Sequence, residues 1–411
     1  MIRMVEMERK RVIVVGGGPA GLLAALALTR EGVATTLITP TPPPAGTAGE
    51  ARSAALFAPS LALLKYLGVL DACLPASAPM SGIRIVDDRG GLLRAPEVVF
   101  SAAEIGLATF GYNVPNGALN VALCQALRGV GDQLTWIEGA IATAVLPEAG
   151  RVTVALSDGR SIAGALVVGA DGRKSVCRAG AGIDVQSHEY DQVAITANFR
   201  HQRPHEGIST ELHGPAGPCT TVPLPGLASS LVWIERRCIG ARLMALEHAA
   251  FVAALEARLK GLLGSVGDLT IQGQFPLSWL KADSFAARRV MLVSEAAHVM
   301  PPIGAQGLNL GLRDIGHLVD CVSDAVNEGR DPGGEETLEA YNKARKGDVE
   351  TRMTAVDALN RSLLSDLVPV HLARGAGLHL LSAIGPLRRA VITQGMAPRA
   401  LPRMMRASSL P

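Results

Sequence analysis

A glycine-rich segment near the start of the chain restricts the possible folds more than any other feature of the sequence. It follows the β-branched run Arg11–Val15 and leads into helix-forming residues up to Glu31. In the pattern G-x-G-x-x-G, the first glycine permits a tight turn, the second lets the backbone approach a pyrophosphate, and the third allows close helix–strand packing. A second strand, Val33–Thr39, completes a strand–helix–strand unit, which requires a parallel sheet. The segment predicts a dinucleotide site at Gly16, Gly18, Pro19, Ala20 and Gly21.

The remaining segments predict an α/β chain with a β-rich insertion. In chain order we expect a helix at Ser53–Gly68, strands in Gly82–Phe100, a helix at Asn116–Leu127, a meander in Leu134–Val168, strands in Tyr190–Trp233, a helix at Glu247–Leu263, a buried strand at Arg289–Val293, a loop at Pro301–Gly307, a helix to about Asn327 and helices from Glu335. We assign three units to this order: a Rossmann-type domain with a parallel sheet, an inserted β-rich domain and a helical C-terminal segment. They cover, respectively, residues 1–80 with 108–180 and 276–330, residues 81–107 with 181–275, and residues 331–411.

Composition excludes several classes of protein. The 39 basic and 37 acidic residues give a formal charge of +2, which argues against a nucleic-acid binder. The six cysteines form no C-x-x-C pair, so neither a disulfide framework nor a zinc ligand set is expected, and a reducing cytoplasm is favoured. His201 and His205 are four residues apart, but Pro204 argues against a helix there, and we assign no metal ligands.

Basic charge is concentrated at the C-terminus. Residues 367–411 contain six arginines and no acidic residue, whereas the rest of the chain has a formal charge of −4. A basic, leucine-rich segment suits the surface of an anionic membrane or an acidic partner protein. The alternative is a C-terminal helix packed on the body with solvated arginines.

An 18-residue uncharged run, Val12–Thr29, has the length of a signal peptide or a short membrane span. Because it contains four glycines and Pro19, we interpret it instead as a buried strand, turn and helix.

Further segments of the chain resemble a known family. Residues 165–178 read ALVVGADGRKSVCR, and residues 289–314 read RVMLVSEAAHVMPPIGAQGLNLGLRD. Together with the first glycine motif, these segments resemble the class A flavoprotein aromatic monooxygenases, which have the p-hydroxybenzoate hydroxylase fold. The segments RSAAL from Arg52, FGYNVPN from Phe110 and YDQVA from Tyr190 narrow the resemblance, nearly end to end, to the ubiquinone-biosynthesis hydroxylases.

This resemblance implies an FAD-dependent monooxygenase. In such a family NAD(P)H, a transient cosubstrate, reduces FAD, and O₂ is captured as a flavin C4a-hydroperoxide that hydroxylates an electron-rich phenol ring. The implied substrate is a polyprenylated phenol of ubiquinone biosynthesis, and a complex of ubiquinone-biosynthesis proteins is an implied partner. The first unit would then be the FAD-binding domain and the β-rich unit the substrate domain. We expect a cytoplasmic protein, peripheral on the inner face of the membrane through residues 367–411.

Site residues follow from the same resemblance. Arg52, Pro301 and Pro302 would flank the flavin, with no obligatory acid or base; the alternatives are a helix-capping arginine and a stiffened loop. Asp171 would anchor the loop and the cofactor. The other implied FAD-binding residues are Thr39, Glu295, Gly304, Ala305, Gln306, Gly307, Leu308 and Asn309. From Gly304 onward, the start of a helix would stabilise negative charge on the flavin pyrimidine edge. Thr221 and Pro223, in a proline-rich strand segment, would face the substrate.

The sequence departs from the family pattern at Thr39, at Ser294-Glu295, at Cys177, where Val is more usual, and at Gly117, where relatives often carry a larger or charged residue. Thr39 stands where an acidic residue would accept ribose hydrogen bonds, a loss of about 1–2 kcal/mol, or roughly tenfold in affinity. Ser294-Glu295 replaces the usual Gly-Asp next to the ribityl chain. These departures leave a second hypothesis open, a flavin-poor and catalytically silent relative that binds a polyprenyl phenol or scaffolds a complex. A third is a hydroxylase of another aromatic compound.

Overall fold

The computed structural model describes residues 11–41, 52–89, 96–365, 367–396 and 400–406. Its strands are β1 (Val12–Val15), β2 (Thr35–Thr39), β3 (Ser53–Phe57), β4 (Ala78–Met80), β5 (Gly82–Asp87), β6 (Val98–Ser101), β7 (Gly111–Pro115), β8 (Leu134–Glu138), β9 (Ala142–Glu148), β10 (Arg151–Leu156), β11 (Ser161–Gly164), β12 (Leu166–Gly169), β13 (Val185–His201), β14 (Ile208–Gly214), β15 (Gly217–Leu224), β16 (Ala228–Arg236), β17 (Val266–Ala282), β18 (Ala286–Ala287), β19 (Val290–Leu292) and β20 (His298–Val299). Its α-helices are α1 (Pro19–Arg30), α2 (Ala58–Tyr66), α3 (Leu70–Cys73), α4 (Asn116–Arg128), α5 (Val176–Gly180), α6 (Arg237–Met244), α7 (His248–Leu259), α8 (Gln306–Asn327), α9 (Glu335–Leu364), α10 (Val368–Ala383) and α11 (Gly385–Met396).

A six-stranded sheet carries the glycine motif, in the order β18-β19-β12-β1-β2-β8. From β19 to β8 all neighbours are parallel, and β18 pairs antiparallel with β19. Every residue of β1 and β2 is buried. A strand that is covered on both faces must be apolar or hydrogen-bonded along its whole length. The predicted α/β class, the strand–helix–strand unit and the interpretation of Val12–Thr29 are therefore confirmed.

An eight-stranded sheet forms the β-rich layer, in the order β20-β17-β13-β16-β15-β14-β5-β6. Residues 82–101 join this sheet because β5 pairs in parallel with β14, although the paired residues are more than 120 positions apart in the sequence. Strand β17 continues from Val266 to Ala282 and so runs through the division predicted between residues 275 and 276. The assignment of the chain to domains remains a prediction.

Two predicted elements need correction. Ser53–Phe57 is a strand rather than the start of a helix, because it pairs antiparallel with β7, and the helix begins at Ala58 with Pro59 in its first turn. The predicted meander is confined to the three-stranded sheet β11-β10-β9, whereas β8 and β12 at its two ends belong to the parallel sheet. In both cases pairing with distant strands overrides the local pattern.

A buried carboxylate joins four elements of the structure. Asp314 of α8 accepts hydrogen bonds from the Ser294 amide at 2.9 Å and from Arg345 Nε at 2.7 Å, and His298 Nε2 lies 2.7 Å away. Although burial alone would raise it, the pKa of Asp314 lies below its ordinary value because His298 and Arg345 favour the ionised form. The charge of Asp314 thus fixes the turn after β19, strand β20 and helix α9 relative to α8.

The basic C-terminal segment forms helices α10 and α11, as predicted for residues from Glu335 onward. No single helix in the described ranges is long and apolar enough to cross a membrane; Ala58–Tyr66 and Leu70–Ala76 satisfy length and composition only as a pair bent by 115°.

Replacing Asp314 with Asn should lower the free energy of unfolding by about 3–5 kcal/mol, because Arg345 would lose its fully buried counter-ion and keep only Asp348, which it shares with Arg313 and Arg352. Urea unfolding at neutral pH measures this change. Asp324→Asn is the matched control, since that carboxylate is 47% exposed in a surface pair with Arg403 and should cost about 0–1 kcal/mol. Equal losses in the two variants would contradict a central role for Asp314.

Candidate active site

A cavity of about 450 Å³ lies at the carboxyl ends of β1, β2 and β12. Gly16, Gly17 and Gly18 form one side of it, and Asp171 and Lys174 lie on another. Helix α1 begins at Pro19, and no side chain caps its N-terminus. Free amides and the positive end of the helix dipole therefore face a site suited to a phosphate group, as the glycine pattern predicts.

The three glycines of the motif differ in what surrounds them. A Cβ added at Gly21 would lie 2.0 Å from the Gly16 carbonyl oxygen, and one at Gly16 would lie 2.2 Å from the Ala170 oxygen. At Gly18 the added atom would meet no protein atom within 4 Å. Packing within the chain therefore accounts for Gly16 and Gly21, whereas the open space at Gly18 fits a bound pyrophosphate.

Thr39 and Asp171 hold the walls of this cavity. Thr39 is buried against Gly17, and its hydroxyl accepts a hydrogen bond from Trp136 Nε1 at 3.2 Å. Its neighbours Ile38 and Pro40 line the cavity instead. Asp171 accepts hydrogen bonds from the Ser175 hydroxyl at 2.5 Å and the Cys177 amide at 3.0 Å, which anchors the loop after β12.

A second cavity, of about 360 Å³, brings together most of the site residues implied by the resemblance. It is lined by Arg52, Glu295, Pro301, Pro302, Gly304, Ala305, Gln306, Gly307 and Leu308. Asn309 does not line it but joins two of its walls: Asn309 Oδ1 accepts from the Phe57 amide and the Ser60 hydroxyl, and Nδ2 donates to the Ala55 and Ala305 oxygens.

The loop before α8 is held in an unusual backbone conformation. Ala305, the residue that precedes the helix, has φ +53°, in the left-handed region that non-glycine residues rarely adopt. The Gln306 side chain fixes it, since Nε2 donates to the Gly304 oxygen at 2.9 Å and Oε1 accepts from Arg352 at 2.7 Å. The first amides of α8 thus face the cavity, where they can stabilise negative charge.

Charged side chains border the same cavity. The Arg52 guanidinium lies 5.3 Å from the centre of the Phe275 ring. Glu295 Oε2 accepts a hydrogen bond from Arg173 Nε at 3.3 Å, and Arg173 also donates to Ser278. With one methylene more than the usual Asp, Glu295 reaches Arg173 across the edge of the cavity.

One face of the eight-stranded sheet forms the floor of the cavity. The strand registers place cavity-facing side chains in two adjacent rows. From β13 to β5, the first row contains Thr196, Val232, Thr220, Glu211 and Ile85. The second row contains Asn198, Ser230, Val222, Ser209 and Ile83. All of these residues except Ile85 line the cavity. The opposite face of the sheet packs into an apolar cluster around Phe199, Leu212 and Trp233.

Thr221 and Pro223 are not among the residues that line this cavity; their neighbours Thr220 and Val222 are. Successive side chains of a strand point to opposite faces, so a shift of one residue exchanges the two sets. Glu211 was missed at the sequence level. Its signal was the alternation Ser209-x-Glu211 within a buried strand, which gave no indication of which face meets the cavity.

His201 and His205 each have a ring nitrogen at hydrogen-bond distance from a backbone carbonyl oxygen of this region. His201 Nδ1 lies 2.8 Å from the Arg203 oxygen, and His205 Nε2 lies 3.0 Å from the Leu224 oxygen. Across the described ranges, no group of three or more His, Cys, Asp or Glu residues could hold a metal ion.

Comparisons with known proteins agree with this geometry. A family model described as "FAD binding domain" matches residues 9–355. The chain is 36% identical to the ubiquinone hydroxylase UbiL of Rhodospirillum rubrum, over 97% of this chain and 93% of that protein. It is 30% identical to the 3-demethoxyubiquinol 3-hydroxylase of Escherichia coli, over 92% and 96% of the two chains. In fold it is similar to the p-nitrophenol 4-monooxygenase PnpA of Pseudomonas putida, with a TM-score of 0.76, 20% identity and coverage of 95% and 98%.

Gly18→Ala should weaken FAD binding by about tenfold or more while leaving the free energy of unfolding nearly unchanged, because its methyl group would meet only the ligand. Fluorescence titration with FAD and urea unfolding measure the two effects. Gly347→Ala, in the interior of α9 and also without a neighbour within 4 Å, is the control and should bind FAD normally. Unchanged affinity in Gly18→Ala would exclude a pyrophosphate at this turn.

Proposed function

The chain belongs to the FAD-binding family of ubiquinone-biosynthesis hydroxylases, and we propose that it hydroxylates the aromatic ring of a polyprenylated phenol, using O₂ and NAD(P)H. One observation carries the proposal. A single cavity joins the helix start at Gly304–Leu308 to a sheet floor with both polar and apolar side chains. Such a cavity can hold a flavin edge and an aromatic ring in contact, as hydroxylation requires.

FAD, when bound, supplies the redox chemistry by accepting hydride from NAD(P)H and activating O₂. The residues of the chain bind and orient. Gly18 and the α1 amides would hold the pyrophosphate, and Asp171 and Glu295 would hold the hydroxyl-rich part of the cofactor. The α8 amides would stabilise negative charge on the pyrimidine edge. Arg52, Pro301 and Pro302 would flank the ring system and keep water from the reacting faces.

The purified protein should bind FAD near one per chain, and it should oxidise NADPH faster when a polyprenylated phenol is added. Absorbance, FAD fluorescence and mass analysis of the product measure these outcomes. Failure to bind FAD even at high concentration would favour the silent binding or scaffold role. FAD binding combined with hydroxylation of soluble phenols alone would favour a different aromatic substrate.

The C-terminal helices support a location at an anionic membrane surface. Leu380 of α10, Ile384 between the two helices, and Leu387 and Val391 of α11 are exposed, and Leu387 and Val391 lie one turn apart on the same face of α11. Leu378 and Ile392 of the same two helices are buried against the body of the protein, in a cluster with Phe57, Met80 and Phe110. An exposed apolar stripe next to Arg389 is typical of a helix that rests on lipid headgroups.

Part of the basic charge predicted for this segment is compensated by the body. Arg388 pairs with Glu104 at 2.7 Å, and Arg403 pairs with Asp320 and Asp324. Packing on the body and exposure to a surface are therefore both features of this segment. We place the protein at the cytoplasmic face of the membrane, where a polyprenyl chain can remain in the lipid while its ring enters the cavity.

Leu387→Ser combined with Val391→Ser should reduce binding to anionic vesicles at least tenfold, or about 1.4 kcal/mol, because the apolar stripe is interrupted. Vesicle co-sedimentation measures it. The control is Leu146→Ser, an exposed leucine on β9. If the wild type does not bind vesicles but its partner proteins retain it through this stripe, the surface serves a protein complex instead.

A further inference from the structure

One arginine of α9 connects the loop before α8 to the end of the chain's last helix. The Arg352 side chain is 10% exposed, and its Nε donates a hydrogen bond to Asp348 Oδ1 at 2.9 Å. Its Nη1 donates to Gln306 Oε1 at 2.7 Å and to the Gly395 oxygen at 3.0 Å, and its Nη2 donates to the Gln394 oxygen at 3.2 Å. A guanidinium presents five N–H groups in one rigid plane. Arg352 therefore joins α9, the loop and α11 in a fixed relative orientation.

The ion pair with Asp348 does not by itself account for Arg352. Asp348 also pairs with Arg313 at 2.8 Å and with Arg345 at 3.1 Å. Although burial alone would raise it, the pKa of Asp348 lies well below its ordinary value because these arginines favour the ionised form. Without Arg352, Asp348 would still have two buried cationic partners. What Arg352 adds to this network is its hydrogen bonds to Gln306 and to α11.

The last turn of α11 contributes to the same contact. Gln394 and Gly395 lie in this turn, where carbonyl oxygens have no partner within a helix. The turn contains no basic residue of its own, so Arg352 supplies both the donors and the positive charge that suit a helix C-terminus. Ile392, one turn earlier, is buried in the apolar cluster against which Ala305 packs. Helix α11 thus holds the loop by a polar and an apolar contact.

The loop needs such support because its backbone is strained. Ala305 has φ +53°, and a non-glycine residue keeps this conformation only where its surroundings fix it. Part of that support is the Gln306 side chain, whose Nε2 donates to the Gly304 oxygen at 2.9 Å. Arg352 fixes the opposite end of the same amide group, which sets its orientation. Loss of Arg352 would therefore release Gln306 and, with it, the amides of α8 that face the second cavity.

We propose that Arg352 is a positioning residue that holds the Gly304–Gln306 loop on the last turn of α11, and that α11 must be packed in place for the α8 amides to stabilise reduced FAD. The inference rests on the FAD binding in the proposed function, and not on the identity of the aromatic substrate. Reduced FAD carries more negative charge on its pyrimidine edge than oxidised FAD. Amides directed at this edge therefore favour the reduced form, and their displacement lowers the reduction potential of the flavin.

The first test measures the flavin potential of the full-length, FAD-loaded protein by equilibration with a redox dye. Arg352→Gln should weaken the binding of reduced relative to oxidised FAD about tenfold, which lowers the two-electron potential by about 30 mV. Arg352→Lys keeps the charge but cannot bridge the same acceptors, so it should show a similar shift. Arg361→Gln, which removes an exposed arginine paired with Asp357 on the same helix, should match the wild type. Full recovery in Arg352→Lys would overturn the bridging role.

Two further comparisons separate the parts of the proposal. In protein that already carries Gln306→Leu, the change Arg352→Gln should shift the potential no further, since Arg352 acts through Gln306. A further shift of about 30 mV would contradict this route. Ile392→Ala, which loosens α11, should lower the potential in the same direction. Leu255→Ala empties a buried position in the cluster on the other face of the sheet and should not. Equal shifts in these two variants would overturn the role of α11.

A second readout needs no cofactor. In protein without FAD, Arg352→Gln should speed amide hydrogen exchange about tenfold in peptides covering residues 301–312 and 385–396, whereas Arg361→Gln should leave both peptides as in the wild type. Unchanged exchange and an unchanged potential in Arg352→Gln would overturn the positioning role. A wild type that binds no FAD would overturn the proposed function, and the exchange rates would still decide whether Arg352 holds the loop on α11.

Discussion

The buried charge of Asp314 is the interaction on which the site depends. It holds the Ser294 turn, where the backbone has φ +54°, and through Arg345 it holds α9. The network continues through Asp348 and Arg352 to Gln306, which fixes the loop that carries the first amides of α8. Replacement of a buried ion pair by well-packed apolar residues of similar volume is often neutral for stability. They could not hold these backbone amides in place, so the network is best understood as a device for orientation.

The two cavities also depend on the orientation of the groups that line them. The first presents mainly backbone, a glycine turn and a helix start, while Asp171 anchors the loop after β12 and Thr39 is engaged by Trp136. The second uses side chains from a different sheet, arranged by strand register into rows. Because the Arg352 side chain also donates to the Gln394 and Gly395 oxygens of α11, the C-terminal helices are tied to the same loop. Arg352 therefore links the C-terminal helices directly to the loop that borders the second cavity.

The parts of the fold that were predictable depend on local signals. The run Val12–Val15, the glycine turn and Pro301–Gly307 are recognisable because backbone conformation and burial there are set by neighbouring residues. Ser53–Phe57 was predicted wrongly as helix, since its alanines and leucine suit either structure and its partner β7 lies over fifty residues away. The face of β15 that meets the cavity, and the burial of Glu211, are set by sheet packing, which a single sequence does not contain.

Gly18 carries a consequence for how this chain can change over time. Gly16 and Gly21 are demanded by contacts within the chain, so any folded descendant must keep them whether or not it binds a ligand. Gly18 has no such tie, and in a lineage released from the dinucleotide it would be free to drift to alanine or serine without loss of the fold. Dinucleotide binding, and not folding, is therefore the reason for glycine at this position of the chain.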